Sequence, residues 1–393
     1  MTETKWDVIV AGAGAVGSAA LYQLARRGVK ALGLDRWHPP HTHGSSHGDT
    51  RITRLALGEG EEYVPFARRS HEIWRELEAA TGRTLLRQIG GLVFGPRSGR
   101  TRAHGAVDFL GTTLAVAQKA GLSHEVLEAA ALQARFPQFH WRGDEWGCLE
   151  HGAGFVYPEA CISAQLERAQ QLGAVLHTGE PVVSWEVSGS AVRVVTAGAV
   201  YETSGLILGA GAWLPGLAGL PASRARVYRQ VLHWFEPEGR HTVFTPEQMP
   251  VFIRVPDDGS EMFYGFPAID GPGGGLKIAG EQFCTTTDPD GMDAAVSSDE
   301  VRAMYALASP HLRISPQWVR SVACKYTVTP DFGFIVDRHP ESERVCFASA
   351  CSGHGFKHSA AVGEALAEMA ITGGSRYDLS RFRLNRFAAP QLS

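Results

Sequence analysis

Val8-Ile9-Val10-Ala11-Gly12-Ala13-Gly14-Ala15-Val16-Gly17 runs four apolar residues straight into the spacing G-x-G-x-x-G. The apolar run reads as a strand buried on both faces. Val16, Ala20, Leu21 and Leu24 then recur at helical spacing, and Gly28 punctuates the end of that helix. A second strand, Val29 to Leu34, stops at Asp35. Strand, glycine turn, helix and strand together make a Rossmann-like βαβ opening. Gly12 permits the tight turn, Gly14 lets the backbone approach a pyrophosphate, and Gly17 lets the helix pack closely on the strand. The helix N-terminus, with Ala13 and Val16 in its approach, offers N–H groups and a positive dipole end to phosphate. Asp35 stands about 20 residues further on, where a carboxylate grips the adenosine ribose hydroxyls.

The uncompensated carboxylate argues against the 2′-phosphate of NADP, while the motif alone leaves FAD and NAD both open. A second glycine turn favours FAD. Leu206-Ile207-Leu208-Gly209-Ala210-Gly211 is a buried strand running into small residues, of the kind many FAD enzymes bring back beside the dinucleotide. An ordinary strand-to-loop transition would look the same.

The chain has 393 residues, which favours two domains. Hydrophobic residues make up 44% and charged residues 20%, as in ordinary globular proteins. The formal net charge of -4 argues against nucleic acid or an anionic membrane as the main partner. The six cysteines, Cys148, Cys161, Cys284, Cys324, Cys346 and Cys351, form no C-x-x-C pair. Neither a disulfide framework nor a thiolate metal site is expected, and a reducing cytoplasm fits best. The N-terminus has no signal-peptide apolar segment. Thr203 to Ser223 is uncharged, but its many glycines and prolines read as a strand and turn rather than a membrane span.

Ala160 to Leu172 reads as a helix, Val182 to Val187 and Ala191 to Thr196 as strands joined by a Ser-Gly-Ser turn, and Ser359 to Ile371 as the last helix. Residues 1–88, 150–222 and 332–393 are assigned to a discontinuous dinucleotide domain, and the loop-rich segments 89–149 and 223–331 to a second, α+β substrate-binding domain. His38, His41, His43 and His47 lack the cysteines or spaced carboxylates that would complete a metal site, so no metal is expected.

Three further segments are specific. His43 to Arg54 continues through Gly58-Glu59-Gly60-Glu61-Glu62-Tyr63-Val64-Pro65; the others are Cys324-Lys325-Tyr326-Thr327 and Ser352-Gly353-His354-Gly355-Phe356-Lys357. With the opening motif, in this order, the chain resembles the monomeric sarcosine oxidase and N-methyltryptophan oxidase family from Asp7 to about Phe387. The resemblance implies a two-domain fold of the D-amino-acid oxidase type, a monomer, and FAD held covalently through a thioether to Cys324. It implies oxidation of a small secondary amino acid such as sarcosine, hydrolysis of the imine, and reduction of O2 to H2O2. N-methyltryptophan, pipecolate and other secondary amino acids remain open as substrates.

The same resemblance assigns roles. Arg54 and Lys357 match the pair that binds the substrate carboxylate, a task suited to a planar guanidinium fork. Arg51 and Lys277 match cations set against the flavin, Lys277 being the candidate for oxygen activation. Ser45 and Gly211 are placed with the cofactor, as are Gly353, His354, Gly355 and Phe356, whose N–H groups would steady negative charge on reduced flavin. Tyr264 and Tyr326 match aromatic walls of the substrate cavity, although core packing would equally account for them. His47 matches a residue near the flavin. The Gly/Ser/Asp surroundings of Arg51 and Arg54 suit a loop.

Two positions depart from the family. Glu281 stands where the family has an active-site histidine, four residues after Lys277; it would pair with Lys277 or meet a basic group on a different substrate. Phe252 replaces a smaller methionine on the pocket strand. The Pro256 to Ser260 loop is slightly longer. Readings of other classes are an NAD-dependent dehydrogenase, a tRNA-modifying flavoprotein and a flavin dehydrogenase that passes electrons to a protein. The first leaves Cys324 to Tyr326 and Ser352 to Lys357 unexplained, and the second lacks a basic patch.

Overall fold

Trp6–Ala11 (β1) is buried at every position except Asp7, and Ala31–Asp35 (β2) is buried throughout. Only a strand covered on both faces can carry such unbroken apolar runs. A computed structural model, which describes residues 5–97, 101–257 and 261–387, shows the cause. β1 pairs in parallel with β2 on one side and with Val200–Leu208 on the other. Val175–Thr178 and Ser342–Ser349 extend the parallel sheet outward. The helices Ala15–Arg26 (α1), Pro158–Gln171 and Ser359–Thr372 contribute to the core on one face of this sheet. On the other face Leu206 and Leu208 pack with Val192, Val194, Leu214 and Phe347.

The second strand starts two residues later than the apolar pattern suggests. Gly28, at φ 72, turns the chain, and the Val29 N–H donates back to the Leu24 carbonyl, so Val29 belongs to the helix terminus. Within Thr203 to Ser223 the strand gives way to short helical turns, and no helix among the described residues is long and apolar enough to cross a membrane.

A second eight-stranded sheet draws on residues 91–150 and 226–328. Its neighbours are antiparallel except Gly91–Pro96 beside Val251–Arg254. One face carries a phenylalanine-rich core that includes Phe94, Phe139, Phe235 and Phe263. Phe252 lies in that core, edge-on to Phe139 and Phe263. This corrects the expectation that it lines the substrate pocket. Side chains alternate along a strand, so the neighbouring Ile253 faces the cavity instead. Of the Pro256 to Ser260 loop, residues 258–260 lie outside the described residues.

Arg51–Thr53 is a short strand, not the loop expected from its composition. It pairs with Gly154–Val156, which in turn pairs with Leu86–Gln88. Its approach, residues 43–50, is a crossing segment held by Lys277 and Lys325 on strands of the second sheet and by Glu159 on the helix Pro158–Gln171.

Candidate functional site

The carboxyl ends of the parallel strands build a cradle. Gly12 N–H donates to the Leu34 carbonyl at 2.8 Å, and Gly209 N–H to the Ala11 carbonyl at 2.9 Å. A Cβ on Gly17 would sit 1.7 Å from the Gly12 carbonyl oxygen, so the helix can come this close only with glycine there. A Cβ on Gly14, by contrast, would meet nothing within 4 Å. The open space above Gly14 belongs to a cavity of about 410 Å³. Asp35 reaches back under the turn, accepting from Ala13 N–H at 2.7 Å and from Trp37 N–H at 2.8 Å.

Gly12, Gly14, Val16, Asp35, Ser45, Arg51 and Gly211 line this cavity, as do Gly353 to Lys357. Three further lining residues, Thr327, Ser349 and Ser359, carry buried hydroxyls with no hydrogen-bond partner in the chain. Buried polar atoms of this kind are normally satisfied, so the wall is made for a polar guest. The glycine cradle, Asp35 and these hydroxyls fit FAD. Ala13 and Gly17 stand behind the wall: Ala13 N–H is engaged by Asp35, and Gly17 is pressed against Gly12.

At the other end the cavity turns ionic. Arg54 is buried, donating through Nη2 to Glu59 Oε2 at 2.7 Å and through Nη1 to the Ala56 carbonyl. Lys357 Nζ donates to Glu59 Oε1 at 3.2 Å and to the His354 carbonyl at 2.9 Å. The two cations expected to bind a carboxylate therefore converge on one internal carboxylate. Burial alone would raise the Glu59 carboxyl, but Arg54, Lys357 and His104 outweigh it and hold it well below the usual range. Burial lowers Lys357 to about 8, with Glu59 opposing the shift. Tyr264 and Tyr326 share a 3.0 Å hydrogen bond between their hydroxyls on the same wall.

Glu281 does not pair with Lys277. Its two oxygens lie 3.0 and 2.9 Å from His104 Nε2. Glu281 follows the end of the strand Leu276–Gly280, whereas Lys277 within that strand points to the crossing segment. Lys277 Nζ donates to the carbonyls of Gly48 and Thr50, both at 2.6 Å, and lies 4.6 Å from the Phe266 ring centroid. Burial, with Arg51 nearby, pushes its pKa well below that of an ordinary lysine.

Lys277, His47 and Cys324 do not border the cavity. His47 is buried with Nε2 unpartnered, and burial followed by Arg51 lowers it to about 4. Cys324 is fully buried; the cysteine on the cavity wall is Cys351. The crossing segment to which Lys277 donates is gripped by its main chain. Arg51 donates to the carbonyls of Ser45, His47 and Thr50, while Glu159 accepts from the N–H groups of Gly48 and Asp49.

Sequence reasoning missed His104 and gave Glu59 no role. His104 sits in a tight hairpin at φ 48, far along the chain from both its carboxylate partners. Burial opposes its charge, yet Glu281 and Glu59 raise it to about 9. No local signal marks such a residue. Among the described residues no group of three His, Cys, Asp or Glu side chains is arranged to hold a metal ion.

A dinucleotide cradle opening onto buried cations and paired tyrosines, under the roof of a second sheet, is the architecture of a FAD-dependent oxidoreductase of the amine-oxidase class. Residues 7–369 match the model of the family described as FAD dependent oxidoreductase. The chain belongs to that family, in the branch that includes sarcosine and N-methyltryptophan oxidases. It is 38% identical over 391 residues to a monomeric sarcosine oxidase of Streptomyces avermitilis, covering 98% of each chain. It is 34% identical over 387 residues to an N-methyl-L-tryptophan oxidase of Salmonella arizonae, covering 98% of this chain and 100% of that one. The same fold appears in NikD, an unusual amino acid oxidase essential for nikkomycin biosynthesis, with a TM-score of 0.82 at 24% identity over 96% of this chain and 97% of that one.

Proposed function

We propose that this chain oxidises a small secondary amino acid, such as sarcosine, to an imine that water then hydrolyses, with O2 reduced to H2O2. The observation that carries this reading is the convergence of Arg54 and Lys357 on Glu59 in the buried wall. Two cations sharing one carboxylate leave cationic capacity for a second, that of the substrate. Tyr264 and Tyr326 flank the site with apolar faces that suit a methylated amine. N-methyltryptophan and pipecolate belong to the same chemical class and remain within the proposal.

Gly12, Gly14, Asp35, Ser45, Arg51, Gly211 and residues 353–356 are the proposed hold on FAD, within segments 1–88, 150–222 and 332–393. Segments 89–149 and 223–331 supply the substrate roof. Bound FAD would accept two electrons from the substrate and pass them to O2. N–H groups at the entry to Ser359–Thr372, with that helix's dipole, would favour negative charge at the flavin edge they face. Lys277 is the fixed cation proposed to steady negative charge building on O2, and His47 is proposed to lie near the flavin. A single chain in the cytoplasm is part of the same proposal: all these residues come from one chain, and none of its six cysteines is paired in a disulfide.

A peroxide assay on the purified yellow protein across sarcosine, N-methyl-L-tryptophan, L-pipecolate and L-proline tests the reaction. Peroxide from at least one of them is expected; peroxide from none of the four, but from primary amino acids run beside them, would overturn the substrate class. The thioether is proposed at Cys324. Denatured wild type should keep its flavin, and Cys324→Ala should lose it. Flavin retained by that variant, with its mass found on the Cys351 peptide, would move the linkage to the cysteine on the cavity wall.

A further inference from the structure

Glu281 and His104 belong to the buried wall but to neither of the carboxylate-binding cations. The imidazole stands between two carboxylates: Nε2 on Glu281 at 2.9 Å, and Nδ1 3.5 Å from Glu59 Oε1 with no hydrogen-bond partner. Behind it lies a second, polar cavity of about 80 Å³. Glu59, His104 and His354 are walls of both cavities, and the far side of the second carries Glu62, Asp331 and Arg381. The Arg381 side chain is 74% exposed, so this far side reaches the surface. A polar space of that size admits about two waters.

On the reading that the substrate is a secondary amino acid, we infer that Glu281 and His104 form a dyad that takes the proton from the bound substrate's ammonium and releases one through the second cavity. An alkyl amine is mainly ammonium at neutral pH. Arg54 and Lys357 answer the carboxylate of such a zwitterion, and Glu281 is the anion left to answer its ammonium. The nitrogen lone pair must be free before the adjacent carbon can be oxidised. The substrate N–H bond breaks and an O–H bond forms on Glu281. His104, doubly protonated while it faces the anion, then loses its Nδ1 proton toward Glu59 and the second cavity. The dyad begins as carboxylate and imidazolium and ends as carboxylic acid and imidazole. Its net charge stays zero, and one proton leaves for each that enters. When product departs, the Glu281 carboxyl gives its proton to water entering the emptied cavity and Nδ1 takes one back from the second cavity, which restores the ion pair. The groups that bear on this balance are Glu59, His354, Lys357 and Arg54 on one side, Tyr264 and Tyr326 beside Glu281, and Glu62, Asp331 and Arg381 in the second cavity.

The test is anaerobic reduction of the FAD-loaded enzyme by sarcosine, from about pH 6 to about pH 10. If another acid of the assay panel is preferred, it takes the place of sarcosine. For wild type the limiting reduction rate at saturating substrate should change little across neutral pH. For Glu281→Gln it should fall by about 10²- to 10³-fold near neutrality and recover tenfold per pH unit toward the amine's own pKa. His104→Gln should shift in the same direction by less. A Glu281→Gln profile that superimposes on wild type overturns the dyad. So does a wild-type profile that already climbs with the free amine. A second measurement needs no turnover: in histidine-labelled protein, NMR should find the His104 ring doubly protonated at neutral pH and neutral in Glu281→Gln. A ring neutral in wild type overturns the dyad. Failure of every secondary amino acid to reduce the flavin sinks the substrate class instead, and the NMR result still decides the dyad.

Discussion

Arg54→Met should lower kcat/KM for the preferred amino acid by about 10²- to 10⁴-fold. Removing one member of a buried ion pair costs about 3–5 kcal/mol, because the partner is left charged and unsolvated. Here the loss falls twice. Glu59 loses its 2.7 Å contact, and the incoming carboxylate loses its planar, two-pronged donor. Arg54→Lys should recover only part of the activity, since an ammonium cannot bind both oxygens in one plane. Steady-state kinetics on variants with an unaltered flavin spectrum makes the measurement. A fall of less than about fivefold would put the substrate carboxylate elsewhere.

Lys277→Met should slow reoxidation by O2 by about 10²- to 10³-fold, the usual cost of removing one fixed stabiliser of developing charge. Anaerobic reduction by substrate should hardly change. The amine is dry, set on two carbonyls at 2.6 Å and beside the Phe266 ring, so the field of its charged form is little screened. The variant leaves those carbonyls without a donor, and a melting curve is needed alongside the kinetics because this costs about 1–3 kcal/mol. Stopped-flow traces of the two half-reactions settle the matter: equal slowing of both would remove Lys277 from the oxygen role.

The βαβ opening was legible because its signals are local. Gly12, Gly14 and Gly17 act within one turn, and the apolar runs of β1 and β2 report burial directly. The return of Leu206 to Gly211 beside that turn was legible for the same reason. Arg54 and Lys357 were reached only through the resemblance, since nothing in their spacing says that they share Glu59. His104 was out of reach altogether: its two partners are fixed by the tertiary fold, from a hairpin with no periodic pattern. Phe252 shows a different failure. A strand's alternation was known, but its phase relative to the pocket was not, and a one-residue error exchanges core for cavity. Glu281 stands out in the sequence, but of the two partners its position offers, a basic group on the substrate or Lys277, the second is excluded: four residues of separation do not bring it to Lys277, which turns to the Gly48 and Thr50 carbonyls.

The crossing segment is fastened largely by its peptide groups, with side-chain bonds from Asp49 to Arg320 and from Lys277 to Thr50 besides. Arg51, Lys277 and Glu159 all grip carbonyls or amides, and those handles exist whatever residue occupies the position. Ser45 and Ser46 border the cavity on a path that neither of them determines. Gly48 is the exception, at φ +100 with Leu232 only 2.5 Å from where its Cβ would lie. The segment therefore joins a rigid route to replaceable contents, and a mutant library confined to positions 45 and 46 could retune cofactor contacts without unsettling the lysine beneath.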